Sequence, residues 1–419
     1  MKISGFHYHH NELQVDGLPL SRVAEQFGTP AYVYSGAAII DRLQQMQTAL
    51  AGLPAQICFA VKANSNGAIL QLLGRHGAGA DIVSEGELRR ALKAGIAADH
   101  IVFSGVGKTA GEIRYALQSG IKQFNIESRN EVQLVAEIAQ TLGVVARATI
   151  RVNPDVDALT HKKISTGKSE NKFGIPLTQA LGVFADAAKL PSLQLCGLHV
   201  HIGSQILQIE PYAQTLQRIA DTVISLRANG YTIDTIDLGG GLGISYRNAQ
   251  PEEFPLEHYV RLIRQYIAPL NTQIILEPGR YLVGNAGILL CKTLFIKHGE
   301  DRQFAVLDAA MNDLMRPSMY DAWHDILPIE RKAHHEQRYD IVGPVCETGD
   351  TFAQQRALPA LEQNDLIAIF SAGAYGSSMS STYNSRPLIA EVLVLDGHAH
   401  LIRRRQSYDE LLAQELLLK

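Results

Sequence analysis

The 419-residue chain lacks an excess of charge of either sign: 38 lysines and arginines stand against 42 aspartates and glutamates, for a formal net charge of −4. That balance argues against nucleic acid or an anionic membrane as the main partner, because both are gripped by concentrated positive charge. The chain also lacks any run of about 18 apolar residues, the length a membrane span requires. Its start, MKISGFHYHHNELQ, has no apolar core of a signal peptide. These absences set a cytoplasmic protein without a membrane partner as the expectation. Cysteine is scarce, with Cys58, Cys196, Cys291 and Cys346 far apart and no CxxC spacing, which excludes a disulfide framework and a paired-cysteine zinc site. Three of the four read as small core residues, leaving room for one reactive thiol. Internal repeats and low-complexity tracts are absent too. What is present is ordinary globular composition, 46% hydrophobic and 19% charged, enough for a large buried core and small-molecule chemistry.

From residue 28 to 277, short apolar or β-branched runs alternate with stretches of helical period, the pattern of successive strand–helix units around a parallel sheet. Eight runs stand out, at 57–63, 80–84, 101–105, 124–127, 148–153, 195–202, 235–240 and 273–279. Helices are predicted over 86–95 and 130–143, the latter closed by Gly143. Eight such units over about 250 residues are the count and size of a (β/α)8 TIM barrel; a doubly wound sheet is the alternative. After Arg280 the rhythm changes to hairpin-like strands, with Asp396-Gly397 as a turn dipeptide. The expected organisation is a barrel at 28–277 and a second, mostly β domain from 278–419 joined by residues 1–27.

In such a barrel the reacting groups cluster at the C-terminal ends of the strands. Lys62 closes the run CFAV, where burial would lower its pKa and ready the amine for attack on a carbonyl; the plainer reading is a lysine reaching into solvent. His199 and His201 alternate along HVHIGS, which places both on one face of a strand. A metal pair without nearby acidic or thiol partners is poorly supported, so no metal is expected and a structural histidine competes with a functional one. The run GGGLG at 239–243 follows TIDL and could open a helix whose amides approach a phosphate, or could be a tight packing turn. Glu277 in EPGR ends an apolar strand, where its carboxylate needs a cation: a protonated pyridine nitrogen or an internal salt bridge. CETGD at 346–350 sets a thiol beside two acids, or is a turn with a bystander cysteine. Together, a lysine, a ring-facing histidine, a glycine run and a buried glutamate on separate strands describe a pyridoxal phosphate pocket.

The blocks FGTPAYVYS, FAVKAN, DIVSEGEL, RVNPDVDALTHKKISTGKSENKFGI, GLHVHIGSQI, DLGGGLGI, EPGRYLVGNAG, MNDLMRPSMYDAWH, GPVCETGD and GAYGSSMSSTYNSRP follow one another along the chain. In that order the sequence resembles the barrel-type (fold type III) pyridoxal-phosphate decarboxylases, and among them the branch that acts on diaminopimelate, the last step of lysine synthesis. The resemblance implies pyridoxal 5′-phosphate bonded to Lys62, with His201 stacked on its ring and Glu277 paired with the pyridine nitrogen. Ser204, Gly241 and the turn Glu277-Pro278-Gly279-Arg280 would hold the phosphate. Arg280, Arg316 and Tyr320 would grip the distal end of an amino-acid substrate, Glu347 would bind its distal amine, and Tyr375 would touch both cofactor and substrate. Cys346 would be the proton donor. Cys346 and Glu347 would enter the site of a second copy, which makes a homodimer the implied functional unit. The segment HKK at 161–163 departs from the family's pattern.

Two arginines and an acid suit a substrate with a carboxylate and an amine at its far end. A paralogue acting on another amino acid, or on a carrier-bound glutamyl group, would keep the cofactor residues and vary around Arg316 and Tyr320. A racemase would need a second base facing Lys62, and a non-catalytic cofactor carrier would have little use for a thiol donor.

Overall fold

The computed structural model describes residues 5–158, 172–247, 251–332 and 335–418. The segment HKK and most of the loop ISTGKSENKFGI lie outside them. The chain divides into two compact units, one built from Arg42–Ile244 and Glu253–Tyr281, the other from Met1–Asp41, Ser245–Glu252 and Leu282–Lys419.

The first unit is a closed barrel. Its eight strands are Ala55–Ala60, Gly79–Ile82, Ile101–Phe103, Gln123–Ile126, Ala146–Asn153, Leu193–His199, Thr235–Asp237 and Gln273–Leu276. Each pairs in parallel with the next, and the eighth returns to the first. Every predicted run overlaps one of these strands, because strands buried on both faces read as continuous apolar runs. The helix Arg129–Leu142 shows how the sequence writes its neighbours. The Ser128 side chain accepts from the Glu131 amide, Val132, Val135, Ala136 and Ala139 form the buried stripe, and Gly143 closes the helix at φ +68°. In the sixth strand the register slips between Leu195 and Gly197. A Cβ at Gly197 would fall 1.7 Å from the Thr235 carbonyl oxygen, so only glycine fits that closure.

The second unit is sheet-rich. Its main sheet runs in the order Thr351–Pro359, Glu336–Val342, Gln303–Leu307, Gly287–His298, Ala31–Ser35, Ala390–Leu395, His398–Arg403. Strand Leu366–Ile369 adds to Gly287–His298 and pairs with Ile326–Pro328. Asp396 and Gly397 both take positive φ in the last hairpin, as a primed turn demands. The three-stranded sheet formed by Phe6–His9, Glu12–Val15 and Leu18–Pro19 buries Phe6, Leu13 and Val15 in the same core as Ile288 and Phe370. His7, His9 and His10 are exposed.

The boundaries differ from the expected ones. Residues 28–41 belong with the β unit, because Ala31–Ser35 pairs antiparallel with Gly287–Leu290 and parallel with Ala390–Val394. The Tyr34 hydroxyl donates to the buried Glu391 at 2.5 Å, within that unit. The barrel also extends past 277 to Tyr281, which keeps Arg280 with it. No helix among the described residues is long and apolar enough to cross a membrane.

Candidate active site

At the C-terminal end of the barrel's first strand, Val61–Ala63 forms a single 3-10 turn that carries Lys62. Its side chain is 38% exposed and its Nζ lies 2.7 Å from Oδ2 of the fully buried Asp81, at the end of the second strand. The predicted apolar surroundings are therefore not what the amine meets: the turn lifts it out of the barrel interior and hands it a carboxylate. Burial and the Glu277 charge push the Asp81 carboxyl up, against the pull of Lys62. Nearby, Glu87 accepts the Val83 amide at 2.7 Å, yet burial outweighs that bond and raises its carboxyl to about 7.

His199 ends the sixth strand, Asp237 ends the seventh in register with it, and Glu277 follows the eighth. All three are buried, and one ligand-type atom from each lies within 4.8 Å of the others. His199 Nε2 stands 3.4 Å from Glu277 Oε2. His199 thus has two acidic neighbours that sequence spacing hid, since 38 and 78 positions separate them along the chain. Both carboxylates accept from the Asn125 amide, at 3.0 Å each, and Glu277 also from the Ser104 hydroxyl at 3.2 Å. An amide N–H donated to both acids suits a hydrogen-bonded charge cluster better than a cation. Burial alone would lower the pKa of His199, but Glu277 and Asp237 outweigh it and raise it. Burial alone would raise Glu277, but His199 and Lys62 hold it far below the usual carboxylate range. Asp237 is pushed far up, by burial and then by the Glu277 charge. Within the cluster Glu277 is the acid held low, while Asp237 and His199 are pushed up.

His201 lies beyond the strand end, and its Nδ1 accepts the Gly240 amide at 3.2 Å. Enclosure, with the Arg151 and Lys62 charges, holds its imidazole neutral by lowering its pKa well below the ordinary value. No helix opens at GGGLG; Leu242 instead bridges to Ile206 and the run packs against neighbouring strand ends. A Cβ at Gly240 would fall 2.1 Å from the Glu277 carbonyl oxygen and one at Gly241 2.3 Å from that of Gly203. The tight-packing reading therefore holds. The Gly239 amide donates to Asp237 and the Gly240 amide to His201, and Gly241 follows, pressed against Gly203. Beside it, Arg280 Nη2 donates to Ser204 Oγ at 3.0 Å, and Pro278 and Gly279 form the turn between Glu277 and Arg280. Arg151, whose charge acts on His201, forms a buried ion pair with Glu127 at 2.9 Å.

The remaining candidates belong to the β unit. Arg316 opens the short helix Arg316–Tyr320 and is buried. Its Nη1 lies 2.9 Å from His324 Nε2, and its guanidinium sits 4.5 Å over the Tyr246 ring. His324 Nδ1 faces the Phe370 carbonyl at 2.7 Å; a carbonyl only accepts, so Nδ1 carries the proton and Nε2 takes one from Arg316. Tyr375 holds φ +55°, a conformation that a bulky side chain adopts at a cost and that often marks a working position. The GPVCETGD turn is clamped from below: buried Asp350 accepts the amides of Val345 at 2.7 Å and Met311 at 2.6 Å. Cys346 and Glu347 ride exposed on that turn, with the Cys346 amide donating to Asn384 Oδ1 at 3.2 Å. Cys58, Cys196 and Cys291 are buried, as expected of core residues, and burial pushes all three thiols up.

Residues 36–284 match the family described as "Pyridoxal-dependent decarboxylase, pyridoxal binding domain". The chain is 50% identical to the diaminopimelate decarboxylase of Pseudomonas aeruginosa over 99% of both chains. The chain belongs to the diaminopimelate decarboxylase family. It is also 49% identical to the Zymomonas mobilis member over 96% of each chain. Among solved structures, diaminopimelate decarboxylase from Helicobacter pylori complexed with L-lysine aligns with a TM-score of 0.90 at 43% identity, over 94% of this chain and 98% of that one. Diaminopimelate decarboxylase from M. jannaschii in co-complex with L-lysine aligns with a TM-score of 0.93 at 35% identity, over 99% of this chain and 98% of that one.

Diaminopimelate decarboxylases are pyridoxal-phosphate enzymes, and the barrel end fits that cofactor. It offers an amine for the aldehyde, an ionised buried carboxylate for the pyridine nitrogen, a neutral imidazole beside the ring's place, and a hydroxyl, a guanidinium and an amide for the phosphate. Asp81, Ser104, Asn125 and Arg151 escaped the sequence reading. Each sits at or next to the C-terminal end of a barrel strand, which is the one signal that could have found them.

Proposed function

We propose that this chain is a pyridoxal-phosphate-dependent carboxy-lyase that converts meso-2,6-diaminopimelate to L-lysine and carbon dioxide, the last step of lysine biosynthesis. The observation that carries the reading is full-length identity near 50% to diaminopimelate decarboxylases, joined to a barrel end whose donors match the cofactor. Two relatives hold L-lysine, the expected product.

When bound, the cofactor supplies an electron sink for the pair left behind by the departing carboxylate. Lys62 is the amine that anchors it, and Asp81 sets the position of that amine. Glu277 would pair with the ring nitrogen and stabilise positive charge there, His201 would stack on the ring, and Ser204, Gly241, Pro278, Gly279 and Arg280 would hold the phosphate. Arg280, Arg316 and Tyr320 bind the distal carboxylate of the substrate, Glu347 its distal amine, and Tyr375 both substrate and cofactor. Cys346 Sγ hands a proton to the carbon that has lost carbon dioxide, which completes the amine. A thiol and a carboxylate held firmly on an exposed turn need a cover before they can act out of water. A second copy of the chain provides that cover in a homodimer with shared sites. Free thiols, one of them exposed, fit a reducing cytoplasm.

The test is carbon dioxide release with added pyridoxal phosphate, comparing meso-diaminopimelate with ornithine, lysine and glutamate and identifying the amine product. Lysine formed from diaminopimelate alone is the expected result. Release from another substrate, and none from diaminopimelate, would sink the substrate assignment while keeping the cofactor site.

A further inference from the structure

We propose that His199 is a positioning residue for the cofactor's ring nitrogen, acting through Glu277: its buried imidazole, 3.4 Å from Oε2, fixes that carboxylate ionised and aimed. This rests on the reading above that Glu277 pairs with the pyridine nitrogen. Glu277 has two oxygens with different tasks. Oε1 is held by neutral donors, the Asn125 amide at 3.0 Å and the Ser104 hydroxyl at 3.2 Å, whereas Oε2 faces His199. Neutral donors orient a carboxylate but leave its charge to be decided by the surroundings. Those surroundings are hostile: Asp237 and Asp81 are both fully buried, and a third carboxyl in the same interior would take up a proton rather than repel its neighbours. A protonated Glu277 would present a hydroxyl or a bare carbonyl to the ring nitrogen, and the nitrogen would lose the anion that keeps it cationic. His199 is the buried imidazole that tips the balance, with its Nε2 3.4 Å from Glu277 Oε2, and Asp237, an oxygen of which accepts the Gly239 amide at 3.0 Å, lies within the same 4.8 Å cluster. The directions agree: His199 is raised by Glu277 and Asp237 against burial, and Glu277 is lowered by His199 against burial. Lys62, Arg151, His201 and Cys58 are the other titratable or charged groups that face this cluster. His201 is lowered well below its ordinary value and His199 is raised, so the two histidines of HVHIGS are driven in opposite directions.

The experiment compares the affinity of the unloaded protein for pyridoxal phosphate with its affinity for the 1-deaza analogue, in which a C–H replaces the ring nitrogen. Wild type, His199→Phe, His199→Gln and Glu277→Gln are measured, each after its melting temperature confirms a folded chain. Wild type should favour the natural cofactor, and His199→Phe should lose about tenfold on it while binding the analogue as wild type does. His199→Gln, which keeps a neutral donor, should fall between. Equal losses on both ligands in His199→Phe would show a packing role and overturn the proposal, as would no loss on either. If wild type and Glu277→Gln fail to distinguish the two ligands, the Glu277 reading itself falls. If His199→Phe does not fold, wild type labelled with nitrogen-15 in histidine decides. The ring N–H signal of His199 should differ between protein loaded with the cofactor and protein loaded with the analogue, and an identical signal in both overturns the proposal.

Discussion

The Asn125→Asp substitution probes the barrel interior with a change of one atom pair. Asn125 donates through Nδ2 to Asp237 and Glu277, at 3.0 Å each, and accepts through Oδ1 from Thr149 at 2.7 Å and Gln123 at 3.0 Å. The new side chain keeps the acceptor, loses the bonds donated to the two acids and that to Ser104 Oγ at 3.0 Å, and sets a third acid against two. A hydrogen bond to the ionised Glu277 contributes about 1.5–3 kcal/mol and one to Asp237, whose carboxyl is pushed far up, about 0.5–1.5 kcal/mol, so the loss at pH 8 is about 2–4.5 kcal/mol. Like charges 3 Å apart repel by about 5 kcal/mol at an effective dielectric near 20, so the introduced acid titrates above its ordinary value of about 3.9 in the folded chain. Folding then takes up a proton, and the penalty relative to wild type grows as pH rises from about 4 through the folded-state pKa. At pH 5 the protonated acid regains one donor, and the loss should be about half that at pH 8. Urea unfolding followed by helical circular dichroism is the assay, since the long helices Arg129–Leu142 and Glu210–Ala228 belong to the barrel. The fluorescence of the single tryptophan, Trp323, reports the β unit and serves as the control. A shift that is the same at both pH values, or below about 1 kcal/mol at pH 8, would refute the reasoning.

Three further outcomes are expected. Lys62→Ala should lose the visible absorbance of the covalently held cofactor, while an unchanged spectrum would remove Lys62 from its role. Cys346→Ala should bind diaminopimelate but turn over about 100- to 10,000-fold more slowly, the usual worth of a proton donor; unchanged turnover in steady-state kinetics would dismiss the thiol. Glu87 is raised from 4.5 to about 7 in the folded chain, so its contribution to stability is whole below about pH 4.5 and lost as pH climbs through 7. Glu87→Gln should therefore flatten the fall in unfolding midpoint between pH 5 and 8, and a variant that keeps the wild-type slope would show that Glu87 does not titrate there.

Much of this was legible in the chain itself, for reasons that differ by element. The eight barrel strands announce themselves because each is buried on both faces. AYVYS, at 31–35, looks the same and yet belongs to the other sheet, because a central strand is equally buried wherever it lies and its pairing partners are remote in sequence. Lys62, His201 and Glu277 were legible as chemistry at strand ends. The acids beside His199 were not, since barrel closure, not spacing, brings residues 199, 237 and 277 into one layer. The choice at GGGLG between a helix opening and a tight packing turn was closed for a related reason: those glycines are demanded by the backbones that press on them.

The place of Ala31–Ser35 in the middle of its sheet bears on how the chain is made. It is synthesised before the barrel, but its neighbours Gly287–His298 and Ala390–Leu395 follow about 250 and more residues later. At roughly 5–20 residues per second on the ribosome, this segment waits on the order of 10 to 50 seconds with both edges unpaired. The barrel sequence emerges whole in that interval, so closure of the barrel can precede completion of the β unit. An apolar strand left waiting is a natural client for a chaperone, and sequence changes that quicken or stall elongation between residues 36 and 286 should alter yield without altering the finished enzyme.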